Sequence, residues 1–202
     1  IAACFSPGVS SVSGFEKACA ERGMQVFLAD KSVDGPAEDD HQFHFSKKFV
    51  GATTNEAFTT LDNWVSTSGL EDNSDLLLQM DIEGYEYETL LAASDTLMKR
   101  FRIMIIEFHK VDQLWNEAFF SLANSAIQKI LQTHACVHIH PNNAAPPLQK
   151  AGLKIPPVME FTFYRKNCFE PNTYQTDFPH PLDCNNSSQT NYPLPSCWYS
   201  DQ

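Results

Sequence analysis

The stretch LLLQMDIEGYEYETLL, Leu76 to Leu91, decides how this chain is read. Leu76, Leu77, Leu78, Gln79 and Met80 form a short apolar run of the kind a buried parallel strand shows, and Gly84 punctuates it just after Asp81, Ile82 and Glu83. The period then changes. Tyr85, Leu90 and Leu91 fall at helical spacing, and the early Glu86 and Glu88 suit the positive end of a helix dipole. A strand is thus joined to a helix through an acidic turn. Alternation along an extended chain puts Asp81 and Glu83 on one side and Ile82 on the other. In an open α/β sheet ligands bind at the carboxyl ends of the strands, so both carboxylates are expected to face one.

Working outward, 1–5 reads as a strand, Ser6 to Ser11 as a small-residue turn, and Phe15, Ala18 and Cys19 as the apolar face of a helix ending near Gly23. A turn of that kind lets backbone amides approach a ligand, although its single glycine, Gly8, is also what a plain tight turn would carry. Met24 to Ala29 is the next strand, and Asp30 stands at its end, where doubly wound folds hydrogen-bond a nucleotide ribose. An N-cap or a solvated loop acid is the plainer alternative for Asp30. Residues 42–50 suggest an outer strand, 59–65 a short helix opened by Thr59 or Thr60, and 114–133 the longest helix.

On the other side of the opening stretch, Ile103 to Ile106 is again a buried strand, with Glu107, Phe108 and His109 at its end. Parallel strands joined by right-handed crossovers deliver their ends together, so Asp81, Glu83, Glu107 and His109 should converge. The competing reading makes Glu107 a helix cap and His109 a satisfied polar contact. Residues 135–140 alternate, placing His138 and His140 on one face at a metal-like spacing. Residues 146–157 read as loop, and 158–165 as a last strand that returns antiparallel. One domain, 1–166, is expected, followed by an irregular tail, 167–202, packed on it and rich in Pro, Asn, Ser and Tyr.

The 202 residues allow one sizeable core, and the 43% apolar share is ordinary for a globular chain. Lys and Arg number 14 against 25 Asp and Glu, a formal net charge of −11 with no basic run, which argues against a nucleic-acid surface. No apolar stretch is long enough to span a bilayer, and the first residues do not read as a charged and apolar signal peptide. It starts at Ile1 on a strand without Met, which leaves room for an upstream segment or anchor. The six cysteines show no CxxC spacing; buried reduced thiols are expected, with Cys184 and Cys197 the one pair worth checking for a bridge. Asn185 and Asn186 each begin a glycosylation sequon, meaningful only in a secreted protein.

With these residues laid out, the chain resembles the FkbM-family methyltransferases, S-adenosylmethionine-dependent enzymes that methylate oxygen, commonly on sugars and natural products. QMDIEGYEYETLL carries the family's Asp-x-Glu-Gly-x-Glu signature, IIEFH follows it, then HIHPNN with IPPVMEFTFYRK, and FPHPLDCNN in the tail is a weaker match. The resemblance implies a class I methyltransferase fold: a Rossmann-like, mostly parallel seven-stranded sheet with an antiparallel last strand and helices on both faces. Ser6 and Gly8 would then belong to the cofactor turn, and Asp30 would bind the cofactor ribose. Asp81, Glu83, Glu107 and His109 would line the methyl-transfer site, with Asp81 also touching the cofactor. His140, Asn142, Asn143 and Glu160 would complete the acceptor wall. The first turn departs from the family pattern in having fewer glycines.

A hydroxyl that attacks the sulfonium methyl must lose its proton, so a base is required; His109 is the first candidate, with Asp81 or Glu107 orienting it or acting instead. Oxygen-rich Asp81, Glu83, Glu107 and Asn142 would suit magnesium better than zinc, with Asp81 and Glu107 as the expected metal ligands. Tyr85, Trp115 and Tyr164 could stack on a sugar ring. The expected setting is cytoplasmic, acting on a small-molecule or glycan acceptor, with no nucleic acid and no membrane span in this chain. Two alternatives remain: a scaffold domain that keeps the fold without catalysis, and a dinucleotide enzyme of related topology.

Overall fold

The computed structural model describes residues 1–38, 40–170, 178–194 and 198–199. Strand β1 (Ala3–Pro7) leads through the Gly8 turn into α1 (Gly14–Ala20), followed by β2 (Gln25–Ala29), β3 (Phe43–Ser46) and the small parallel pair β4 (Phe49–Val50) and β5 (Phe58–Thr59). Helix α2 (Leu61–Ser66) precedes β6 (Leu76–Met80), α3 (Glu86–Ala92), α4 (Asp95–Met98) and β7 (Phe101–His109). Helix α5 (Glu117–Thr133) runs into β8 (His134–Pro141); a hairpin of β9 (Leu148–Lys150) and β10 (Leu153–Ile155) and then β11 (Val158–Arg165) follow.

Seven strands form one sheet in the order β3-β2-β1-β6-β7-β11-β8. All neighbours pair in parallel except β11, which runs antiparallel to both β7 and β8. This is the class I methyltransferase sheet, with the reversed strand inserted between its two predecessors. Strand alternation divides the core. Phe5, Phe27, Leu76, Leu78, Met80, Met104 and Ile106 face α2 to α5 in the larger apolar cluster, while Cys4, Val26, Leu28 and Leu77 face Cys19 and Ala20 of α1 on the other side. Near the centre of the larger cluster Phe5 stacks on Phe27 at 4.7 Å and meets Trp64 edge-on at 5.1 Å. These ring geometries add to plain burial.

Several local expectations change. Of the two residues expected to open α2, Thr60 is the cap, its hydroxyl accepting from the Asn63 amide. The expected helix over 114–133 is broken at Asn116, whose side chain accepts from the Phe119 amide and caps α5; Val111–Trp115 form a separate 3₁₀ turn. Residues expected as loop contain the β9–β10 hairpin, whose reversal at Ala151 and Gly152 uses positive φ. Cys4 and Cys19 are buried, but Cys136 is exposed, because β8 is the sheet's edge strand. The Cys184–Cys197 pair lies outside the described residues, since Cys197 does. No described helix is long and apolar enough to cross a membrane.

The tail returns to the sheet. Leu194 reaches the larger apolar cluster, and Asn143 is its polar anchor: its amide donates to the carbonyls of Ser187 and Gln189 and accepts from the Ser187 amide.

Candidate active site

Parallel register gathers the functional ends at one edge. Pro7 lies opposite Ala29, and Met80 opposite Ile106, so Gly8, Asp30, Asp81 and the Glu107–His109 segment emerge side by side. Antiparallel β11 adds Glu160 opposite Glu107 and Val158 opposite His109.

The first turn is defined by close approach. Gly8 has φ +90°, and a Cβ there would sit 1.6 Å from the Asp81 carbonyl oxygen, so only glycine lets β1 and β6 meet at this point. The Val9 amide donates to Asp30 Oδ2 at 3.0 Å, and the Ser32 amide to Asp30 Oδ1 at 2.7 Å. Asp30 therefore ties the first turn to its own. The tied turns border a cleft of about 500 Å³ lined by Gly8, Val9, Asp30 and Asp81, with Phe49, Phe58 and Tyr85 as an aromatic wall. That volume lies within the usual range for a small-molecule site. Ser6 points elsewhere: its hydroxyl is buried, 2.6 Å from Glu16 Oε1 and 2.6 Å from Gln79 Oε1. Alternation along β1 turns it toward α1, so its side chain does not line the cleft.

Beside the cleft, Asp81, Glu107 and His109 each offer a ligand atom within 4.8 Å of the others. His109 Nε2 lies 3.8 Å from Asp81 Oδ1 and 3.5 Å from Glu83 Oε2. Glu83 does not continue the strand's alternation. It adopts φ +58° in the turn, and its side chain is 84% exposed, so water screens its charge. Burial pushes the Asp81 and Glu107 carboxyls up, and for Glu107 the nearby Asp81 charge adds to the effect. Burial alone would lower His109, but its hydrogen bond to Glu86 and the charges of Glu86, Asp81 and Glu107 outweigh it and raise the imidazole to about 9. Asn142 donates to Glu107 Oε1 at 2.7 Å.

The residue that sequence reasoning missed as a site component is Glu86. It is fully buried, and its Oε1 accepts from His109 Nδ1 at 3.1 Å, the Gly84 amide at 2.9 Å and the Ile82 amide at 3.3 Å. These bonds hold it below the usual carboxylate range despite burial, which acts the other way. Glu86 thus closes the acidic turn and turns the His109 Nε2 toward Asp81. Tyr87 assists, its hydroxyl donating to the His109 carbonyl at 2.8 Å. The D-x-E-G-x-E spacing was the available signal; burial of its last carboxylate was not readable.

The expected acceptor wall separates. Asn142 reaches the cluster, whereas the Asn143 side chain is occupied by the tail and is buried away from it. Glu160 shares a row with Glu107 and accepts from Asn186 at 3.1 Å. His140 lies one strand farther out, beside Asp183. His138 Nε2 bonds Asp183 at 2.8 Å, and among the described residues Asp81, Glu107 and His109 are the group that gathers as metal ligands could. Asp81 Oδ1, buried and without a hydrogen-bond partner among the described residues, fits a divalent cation held by the Asp81 and Glu107 carboxylates.

No curated protein sequence matches the chain. Among solved structures, the chain is similar to the N-methyltransferase NodS from Bradyrhizobium japonicum, with 10% identity, 81% of this chain and 85% of that chain covered, and a TM-score of 0.44. A precorrin-6y methyltransferase from Geobacter metallireducens is similar at 13% identity, over 81% of this chain and 82% of that one, with a TM-score of 0.38. A 16S rRNA adenine methyltransferase from Catenulisporales acidiphilia is similar at 9% identity, over 85% and 87%, with a TM-score of 0.37. In sequence, residues 18–135 match the family described as Methyltransferase FkbM domain, a span that contains Asp30 and the whole Asp81–His109 cluster. The chain belongs to the FkbM methyltransferase family.

Proposed function

We propose that this protein transfers the methyl group of S-adenosylmethionine to a hydroxyl of a saccharide or similar polyol. Family membership supports methyl transfer from that cofactor. The observation that carries the finer reading is the cluster of Asp81, Glu107 and His109 beside the cleft bordered by Gly8 and Asp30. In this account Asp30 holds the ribose diol, and the backbone at Gly8 and Val9 lets the cofactor approach closely.

With its neighbours ionised, His109 holds a proton at neutral pH, since its pKa is raised to about 9. S-adenosylmethionine, when bound, would bring a positive sulfonium that lowers the proton affinity of a nearby imidazole, and His109, oriented by Glu86, would act as base in its neutral form. His109 Nε2 would take the acceptor's O–H proton as that oxygen gains the methyl group, the bound S-adenosylmethionine supplying the methyl and leaving as S-adenosylhomocysteine with the S–C electron pair. In-line positioning supplies much of the remaining acceleration. A divalent cation, if bound, would be held by Asp81 and Glu107, leaving His109 Nε2 as the base, and would supply Lewis acidity that lowers the hydroxyl's pKa.

The test uses S-adenosylmethionine carrying a ¹³C methyl group and a hydroxylated glycan mixture. An O-methyl carbon resonance in the product is expected, lost in His109→Ala. An N- or C-linked methyl product overturns the O-transfer reading. Parallel assays with EDTA, then with added magnesium, decide the cation: undiminished turnover in EDTA removes it from the account.

A further inference from the structure

On the face of the sheet that carries α1, two thiols meet beneath the first turn. Ser6 and Glu16 fix how strand and helix face each other, hydroxyl to carboxylate at 2.6 Å. Because β1 and β2 are parallel, the helix between them runs back along the strand. Strand residues two apart share a face, as do helix residues three apart, so Cys4 and Cys19 occupy the next point of contact after Ser6 and Glu16. Both are buried, 0% and 4% exposed, in the smaller apolar cluster with Val26, Leu28 and Leu77. A hydrogen bond between the two thiols lowers Cys19 and raises Cys4, and burial pushes Cys4 up further. Cys19 is therefore the sulfur that ionises first. Neither thiol has a part in the methyl-transfer chemistry.

The chain between the two cysteines contains the whole first turn, including Gly8, Val9 and Ser10, which border the cleft. We infer that Cys4 and Cys19 are a redox pair that closes to a disulfide in an oxidising thiol pool and staples α1 to β1 beneath that turn. The oxidant is a low-molecular-weight disulfide such as oxidised glutathione. The Cys19 thiolate attacks one of its sulfurs, the S–S bond breaks, and one glutathione leaves with the electron pair. Cys4, as it loses its proton, then attacks the Cys19 sulfur and releases the second glutathione. The two cysteines give up two electrons and two protons in all, and oxidised glutathione becomes two molecules of glutathione. Burial keeps the reagent from the closed pair, so the bond forms during folding or when α1 opens. That helix has 7 residues, and its N-cap Ser13 makes no side-chain cap hydrogen bond. A covalent tie across the turn restricts the unfolded chain, which stabilises the oxidised form. Formation of the staple is independent of what the cleft binds; only its bearing on the cofactor rests on the proposed function.

The test refolds the full chain in a buffer of reduced and oxidised glutathione and, in parallel, in excess dithiothreitol. Each sample is denatured in N-ethylmaleimide and digested with trypsin without reductant. Cleavage after Lys17 and Arg22 separates the two cysteines. Peptides 1–17 and 18–22 joined by a disulfide are expected from the glutathione sample, and the same two peptides singly alkylated from the dithiothreitol sample. The linked form should melt roughly 5–10 °C above the reduced form, a gain absent from Cys19→Ala, and should bind S-adenosylhomocysteine at least as tightly. Recovery of both peptides only as alkylated species from the glutathione sample overturns the pair. A linked form that melts no higher than the reduced one, or that binds S-adenosylhomocysteine more weakly, overturns the staple. Failure of both forms to bind S-adenosylhomocysteine counts instead against the proposed function, and the peptide map and melting midpoint still decide the staple.

Discussion

At the scale of single residues, Gly8 and Glu86 carry the most consequence. Gly8→Ala places a methyl group 1.6 Å from the Asp81 carbonyl oxygen and also forces an L side chain to φ +90°. The expected loss of stability exceeds the roughly 1 kcal/mol typical of an unfavourable backbone conformation alone, and cofactor binding should vanish with the turn. Denaturant titration checks the first and calorimetry the second. Glu86→Gln keeps shape and backbone hydrogen bonds but removes the charge facing His109 Nδ1. Turnover is predicted to fall about 10- to 100-fold with little change in affinity for S-adenosylhomocysteine; equal turnover would mean that Glu86 only closes the turn. The cluster also has a pH signature. His109, near 6.5 when unfolded and about 9 when folded, contributes stability that is complete below pH 6.5 and lost as pH rises through 9. Asp81 and Glu107, raised by burial, act in the same direction as they ionise; Glu86, held low, loses its contribution as pH falls. In chelator, Tm should decline from pH 6.5 to 9, and the decline should flatten in His109→Gln.

At the scale of elements, what was legible in the sequence was whatever rests on periodicity. The run Leu76 to Met80 and its helix were readable because strand and helix periods differ and Gly84 separates them. The convergence of Asp81 with Glu107 and His109 followed from parallel strand ends. Local capping was less visible. The break at Asn116 lay inside a continuous apolar pattern, since Leu114 and Phe119 serve either structure. Asn116→Ala should cost about 1 kcal/mol, measured as a shift in denaturation midpoint, because the Phe119 amide loses its acceptor. The hairpin β9–β10 was hidden for a different reason. Its strands of 3 residues each are too short for alternation to register, and their stability comes from pairing with each other. In the site, the resemblance put Ser6 in the cofactor turn, and what the sequence did not announce is that strand parity sends its side chain to Glu16.

At the scale of the whole molecule, described residues of the tail are tied to the sheet side chain by side chain. Asn143 holds Ser187 and Gln189, Asp183 holds His138, and Leu194 enters the larger cluster. In each of these hydrogen-bonded pairs the partners lie at least 44 residues apart, and no pattern in a Pro- and Asn-rich segment announces them. Asn143→Ala should remove the side chain's hydrogen bonds to Ser187 and Gln189, lowering stability by about 1 kcal/mol and speeding proteolysis of the tail, with the cofactor cleft unaffected. The account as a whole depends on that cleft being a cofactor site organised by Asp30. The most direct measurement is calorimetric titration of the full chain with S-adenosylhomocysteine, beside the Asp30→Ala variant. Micromolar binding by wild type, weakened at least tenfold in the variant, is the predicted result. A folded wild type that does not bind, or a variant that binds as well as wild type, would contradict it.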